Sequence, residues 1–187
     1  MRIEKLRRDY AIDVEFVHFP LHPETPPEGM TLDELFGGRV DAATRKARAE
    51  RMSQLMRAEG LPYGERTHTY NSRLAQELAK WAVTQPGGDA IHDALFKAYF
   101  VANRNIGDAG VLLDVARSIG LDAGAAREVL EKRTFEAAVD ADWRTSREAG
   151  VTGVPTFAAG GYGVVGAQPY EAIAELLESV GARKRGE

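Results

Sequence analysis

There is no cysteine among the 187 residues of this chain. That absence excludes a thiolate nucleophile, a disulfide, a cysteine-ligated zinc and an iron–sulfur cluster from the polypeptide as written. No stretch reaches the ~18 consecutive apolar residues of a membrane span. The opening Met1-Arg-Ile-Glu-Lys-Leu-Arg-Arg8 also lacks the apolar centre of a secretory signal, so the expectation is a cytoplasmic protein that does not engage membranes. Basic residues are not in excess: 24 Lys and Arg against 28 Asp and Glu leave a net charge of −4, which argues against holding a nucleic-acid backbone. What is present is a globular composition, 44% apolar and 28% charged. At roughly one domain per 150 residues, the length suits one domain carrying a large insertion, with enough chain to bury a core.

Periodicity gives the organisation. Ile3, Leu6 and Tyr10 fall at helical spacing, predicting a short amphipathic helix from Met1 that opens without a capping residue. Val14 to Phe19 is β-branched and aromatic and predicts a strand. Four of the eight prolines then fall between Pro20 and Pro27, which predicts a loop. Helical patterns follow over 41–59, 71–84, 89–103, 108–119, 122–132 and 134–149, several ending at glycine. After Gly150 two short strand-like runs, Val154–Ala159 and Tyr162–Val165, flank Gly160-Gly161, a dipeptide suited to a two-residue hairpin turn. A last helix runs from Pro169 to Val180 with proline at its start. The tail Arg183-Lys184-Arg185 is expected to be solvated and frayed. Helix, strand, several helices, hairpin and helix is an α/β order with a helical insertion.

Most chemical motifs fail on context. Gly161-x-Gly163-x-x-Gly166 spells the dinucleotide fingerprint, but it runs through a hairpin strand, and the residues after it have no room for a second strand with its ribose carboxylate. His18, His22, His68 and His92 show no metal-ligand spacing on a helix, and no metal site is expected. Asp140 and Asp142 are two apart on a helix and are expected to be ordinary surface carboxylates. One constellation is more specific: Gly150-Val-Thr-Gly-Val154-Pro155-Thr156-Phe157. A cis bond before Pro155 would leave the backbone of Val154 able to pair with an extended ligand. Spacing alone favours the simpler alternative, a trans proline opening an edge strand.

That segment, with Gly161-Tyr162 and Val165-Gly-Ala-Gln-Pro169, resembles the C-terminal half of the DsbA-like thioredoxin-fold oxidoreductases, in particular the FrnE-type cytoplasmic branch. Phe96-Lys-Ala-Tyr-Phe100, Asn105-Ile-Gly-Asp108 and Asn71-Ser-Arg-Leu-Ala75 resemble that branch's helical insertion. The resemblance spans about Ile3 to Val180. It implies a single thioredoxin-like α/β domain over 1–187, in which 1–36 and 150–187 form the thioredoxin-like part and 37–149 a mainly helical insertion. It also implies that Pro155 is cis, and that Val154, Pro155 and Thr156 form a shelf for a thiol- or disulfide-containing peptide. In the family a strand and a Cys-x-x-Cys motif precede the first helix, so the first, central strand and any catalytic residue are missing here. The expectation is a start upstream of Met1. The implied activity is thiol–disulfide exchange. Glutathione-dependent isomerases of the same superfamily, such as 2-hydroxychromene-2-carboxylate isomerase, are the alternative, since they use a serine and would hold glutathione on the same shelf. A non-catalytic peptide-binding module is the third possibility. No resident cofactor is implied, and a homodimer is possible.

Overall fold

The computed structural model describes residues 2–186, so the expected helix start at Met1 lies outside the described residues. The chain divides into two compact units. One joins the residues up to Leu21 with those from Asp142 onward, and the other is the continuous segment His22–Ala141.

The second unit is helical. It contains α2 (Leu32–Phe36), α3 (Ala42–Ala58), α4 (Arg73–Ala82), α5 (Ile91–Phe96), α6 (Ala109–Ser118), α7 (Ala123–Lys132) and the start of α8 (Glu136–Glu148). The aspartates that the sequence offers as starts act as caps: Asp41, Asp108 and Asp122 each accept the backbone N–H three residues on, satisfying a donor that the helix leaves unpaired. Leu78, Ala82, Ile91, Leu112 and Ala116 are buried in its core with Trp81 and Leu130. Each helix contributes one apolar stripe.

The pattern over 89–103 resolves into three pieces: a 3-10 turn at Gly88–Ala90, α5, and a π-helical turn at Lys97–Val101. The turn ends just past Phe100, which leaves its carbonyl free to accept Gly64 N–H at 2.8 Å. Asn71 Nδ2 donates to the Thr25 carbonyl at 2.7 Å, and Asn105 Nδ2 donates to the Pro27 carbonyl at 3.0 Å. These two amides pin the part of the proline-rich loop that belongs to this unit. Two strands absent from the sequence reading, β1 (Met30–Thr31) and β2 (His68–Thr69), pair antiparallel in the register Met30 with Thr69. At two residues each they are too short to show an alternation.

A charge network lies within this unit. Glu77 is fully buried. Its Oε1 accepts from Arg73 Nε at 2.8 Å and from Arg133 at 2.6 Å, and its Oε2 accepts from Arg133 Nε at 2.7 Å. Arg133 closes α7 in the left-handed conformation at φ +52°, a position that usually takes glycine. Asp140 pairs with Arg73 at 2.7 Å.

The first unit contains α1 (Arg2–Asp9), the end of α8, β3 (Thr156–Ala159), β4 (Tyr162–Val165) and α9 (Tyr170–Ser179). Leu6 and Tyr10 pack with Ile173, Ala174 and Leu177, and Phe157 and Ala159 of β3 cover the same cluster. The expected strand at Val14–Phe19 does not form: residues 11–20 carry no regular secondary structure. β-Branched composition favours a strand only where a neighbour supplies a ladder, and no strand among the described residues pairs with this segment. The expected frayed tail is also corrected. Tyr10 and Lys184 form a bridge, Arg183 C=O accepts from Ala11 N–H, Arg185 N–H donates to Asp9 C=O, and the Arg185 guanidinium bonds the Tyr10 carbonyl. The basic tail is therefore tied down along the end of α1.

Candidate functional site

The hairpin of the first unit is built by its turn. Ala159 pairs with Tyr162 across Gly160 and Gly161, both at positive φ (56° and 84°), the arrangement a tight hairpin with right-handed strand twist requires. The register runs Phe157 with Val164 and Thr156 with Val165, and Gly166 N–H continues it by donating to Pro155 C=O at 2.7 Å. Because antiparallel residues alternate in the edge to which they turn their backbone groups, Pro155, Phe157 and Ala159 address β4. Thr156 and Ala158 therefore turn their N–H and C=O to the opposite edge. β4 is the sole strand paired with β3 among the described residues, so that edge carries no ladder.

At the head of this edge the Val154–Pro155 peptide is cis, and Val154 is 50% exposed. Thr156 Oγ1 donates to Gly153 C=O at 2.7 Å, which occupies the side-chain hydroxyl locally and leaves backbone groups as the polar features along the edge. The outer side of β4 is treated differently: Gln168 Nε2 donates to Val165 C=O at 2.6 Å. Val154, Pro155 and Thr156 thus sit together at the entrance of β3, next to the open edge. Beneath, Tyr10 OH donates to Glu178 at 2.6 Å and Tyr170 OH donates to Asp9 at 2.5 Å, fastening α1 to α9. The hydrogen bond to Glu178 holds the Tyr10 hydroxyl above the ordinary phenol range, and Lys184 followed by Tyr10 holds the Glu178 carboxyl below its own.

One pair was not expected. Asp142 is not a surface carboxylate but 7% exposed, and its Oδ2 accepts the His18 backbone N–H at 3.1 Å and lies 2.8 Å from His18 Nδ1. The available signal was helical spacing: Asp142 stands three residues after buried Val139 and four before buried Ser146, on the inward stripe of α8. Replacing Asp142 with alanine removes the oxygen that both contacts share, and the expected outcome in thermal unfolding is a loss of about 1–3 kcal/mol. Hydrogen exchange at the His18 amide should quicken in the same variant. His22 stands 3.9 Å from Glu24, and His68 stacks on Tyr70. Among the described residues no group of three His, Asp or Glu could hold a metal, and no helix is long and apolar enough to cross a membrane.

The chain is similar to known proteins. The chain is 27% identical over 157 residues to the uncharacterized protein YwbO of Bacillus subtilis, covering 83% of this chain and 76% of that protein. Its structure is similar to a crystal structure of a probable DsbA oxidoreductase from Streptomyces coelicolor, with a TM-score of 0.88, 26% identity, and coverage of 100% of this chain and 85% of that one. A 2-hydroxychromene-2-carboxylate isomerase shares the fold at a TM-score of 0.68 and 18% identity, over 96% of this chain and 85% of that one. The sequence pattern of the DSBA-like thioredoxin domain matches residues 1–178, and with the hairpin and α1–α9 pairing described above, the chain belongs to that family.

Proposed function

We propose that the protein is a FrnE-type, cytoplasmic member of the DsbA oxidoreductase class, and that it holds an extended thiol- or disulfide-containing peptide on the shelf formed by Val154, Pro155 and Thr156. The observation that carries this reading is half-exposed Val154 at the head of β3, directly before Pro155, where its backbone can pair with an extended ligand. The edge to which Thr156 and Ala158 turn their backbone groups is the one the family's first, central strand would occupy, so the ligand's place is the head of β3 and not its length. The similarity to a probable DsbA oxidoreductase over the whole chain supports the same class. Thiol–disulfide exchange at the shelf draws its attacking thiolate from outside these 187 residues, because they contain none.

The absence of cysteine favours one second reading, a glutathione-dependent isomerase or transferase, whose chemistry needs no protein thiol. The shelf would then hold the γ-glutamyl-cysteinyl-glycine backbone of glutathione, which is itself an extended peptide.

The two readings separate in one titration. A peptide with a mixed disulfide, and separately glutathione, is added to the labelled protein while backbone amide resonances are followed. The peptide is expected to shift Gly153, Val154 and Thr156 selectively. Val154→Asp sets a charge where the half-exposed apolar side chain would meet the ligand, and should weaken peptide binding about tenfold. Shifts produced by glutathione alone would favour the isomerase reading. Perturbations confined to other parts of the first unit would dismiss the shelf.

A further inference from the structure

α3 is a 17-residue helix with no buried residue. A helix of that length is marginal in water when packing contributes nothing, so its setting in these residues is incomplete. Five of its residues are basic and one is acidic, a local charge of +4 in a chain of net −4, and the remainder of the chain therefore carries −8. Arg45 is used by Asp33 at 2.7 Å, and Lys46 faces Glu50 at 3.9 Å. Arg48 and Arg51 have no ion-pair partner among the described residues. With Met52 and Leu55, which are 44% and 53% exposed, they occupy positions i, i+3, i+4 and i+7, which is one face of a helix. Arginine and methionine are the residue types that protein interfaces favour.

The complementary surface is on α9. Glu171, Glu175 and Glu178 follow one another at i, i+4 and i+7, all exposed, on the side of the helix opposite buried Ile173, Leu176 and Leu177. Glu178 is engaged by Tyr10 and Lys184. Glu171 and Glu175 have no ion-pair partner among the described residues. At a rise of about 1.5 Å per residue, the two arginines are separated by about 4.5 Å along their axis and the two glutamates by about 6 Å, so two pairs can form with the helices side by side. We propose that α3 of one copy docks on α9 of a second copy, Arg48 and Arg51 meeting Glu171 and Glu175. A bilayer does not suit α3, which exposes only Met52 and Leu55 as large apolar side chains and sets Arg48 and Arg51 beside them instead of on an opposite face. Nucleic acid does not suit a chain whose remaining surface is so acidic.

Sedimentation equilibrium of the full chain tests this, at about 0.01 M salt, where screening reaches ~30 Å, and at about 1 M, where it reaches ~3 Å. A dimer at low salt that dissociates at high salt is expected. Arg48→Glu with Arg51→Glu should raise the dissociation constant at least tenfold, since like charges then face one another. Adding Glu171→Arg and Glu175→Arg to that variant should restore the dimer with its charges exchanged. Hydrogen exchange within α3 should slow as protein concentration rises. A monomer at low salt at every concentration would overturn the proposal, and so would a dimer indifferent to the first pair of changes or one that the second pair fails to restore. Retardation of the monomer by RNA through α3 would assign the helix to a different occupant and overturn it equally.

Discussion

Glu77→Ala is expected to lower the stability of the helical unit by about 3–5 kcal/mol, the usual cost of removing one partner from a buried ion pair. The change removes the buried acceptor that Arg73 and Arg133 share, leaving them the exposed carboxylates of Asp140 and Glu136 as ion-pair partners. Denaturant unfolding followed by helix ellipticity measures it, and the effect should take a large share of a domain's ordinary 5–15 kcal/mol. The pH dependence has a definite sign. Burial pushes the Glu77 carboxyl up, but the guanidinium groups of Arg133 and Arg73 outweigh it and hold the acid below its ordinary value. An acid whose folded pKa is depressed contributes stability that is complete above its unfolded pKa, about 4.3 for glutamate, and is lost as pH falls through the folded value. The melting temperatures of wild type and Glu77→Ala should therefore lie far apart at neutral pH and converge in acid. A gap that held constant into acid would show that the carboxylate's charge is not what stabilises the unit.

Gly88→Ala is the second large effect expected, a loss of about 1–3 kcal/mol from forced overpacking. A methyl group at Gly88 would meet the Ala82 carbonyl oxygen at 1.6 Å and its carbon at 2.4 Å. Both are backbone atoms at the close of α4, and the same carbonyl accepts from Gln85 N–H at 2.8 Å. No rotamer change relieves such a contact; the turn between α4 and α5 has to open. The neighbouring Gly87 makes the control. It lies at φ +75° with open space around it, so alanine there meets only the left-handed penalty of about 1–2 kcal/mol. Thermal unfolding of the two variants should rank Gly88→Ala as the more damaging, with loss of near-ultraviolet signal from Trp81, which is buried in the same core.

How far the sequence can be read depends on how local the deciding physics is. The capped helices of the second unit were legible because aspartate caps, apolar stripes and terminal glycines all act within a turn or two. The hairpin was legible for the same reason, through Gly160-Gly161. The resemblance carried by Gly150 to Phe157 gave the fold, which the comparisons show. Val14–Phe19 misled because a strand is a property of a pair, and composition describes only one member. Asp142 misled because two aspartates two apart were judged by their mutual spacing, whereas the buried stripe of Val139 and Ser146 decides which one turns inward. The tail misled because three basic residues look solvated until the carbonyls of Asp9 and Tyr10 are seen beside them. β1 and β2, and the π turn at Lys97–Val101, leave no periodic trace at all.

The division of the chain sets an order of assembly. The helical unit is one uninterrupted segment, His22–Ala141, so its nucleus can form from neighbours in sequence while the ribosome is still at work. The other unit cannot. Tyr10 must find Glu178 and Lys184, and Asp9 must find Tyr170 and Arg185, partners separated by the whole of the intervening segment. Non-local closure of this kind is slow, and α1 emerges from the ribosome long before α9 exists to receive it. Through that interval Leu6 and the inner face of α1 are exposed in a nascent chain whose helical half can already be native. The hairpin is made in the same late stretch, so a chain arrested after α8 would hold the helical unit and lack both β3 and β4.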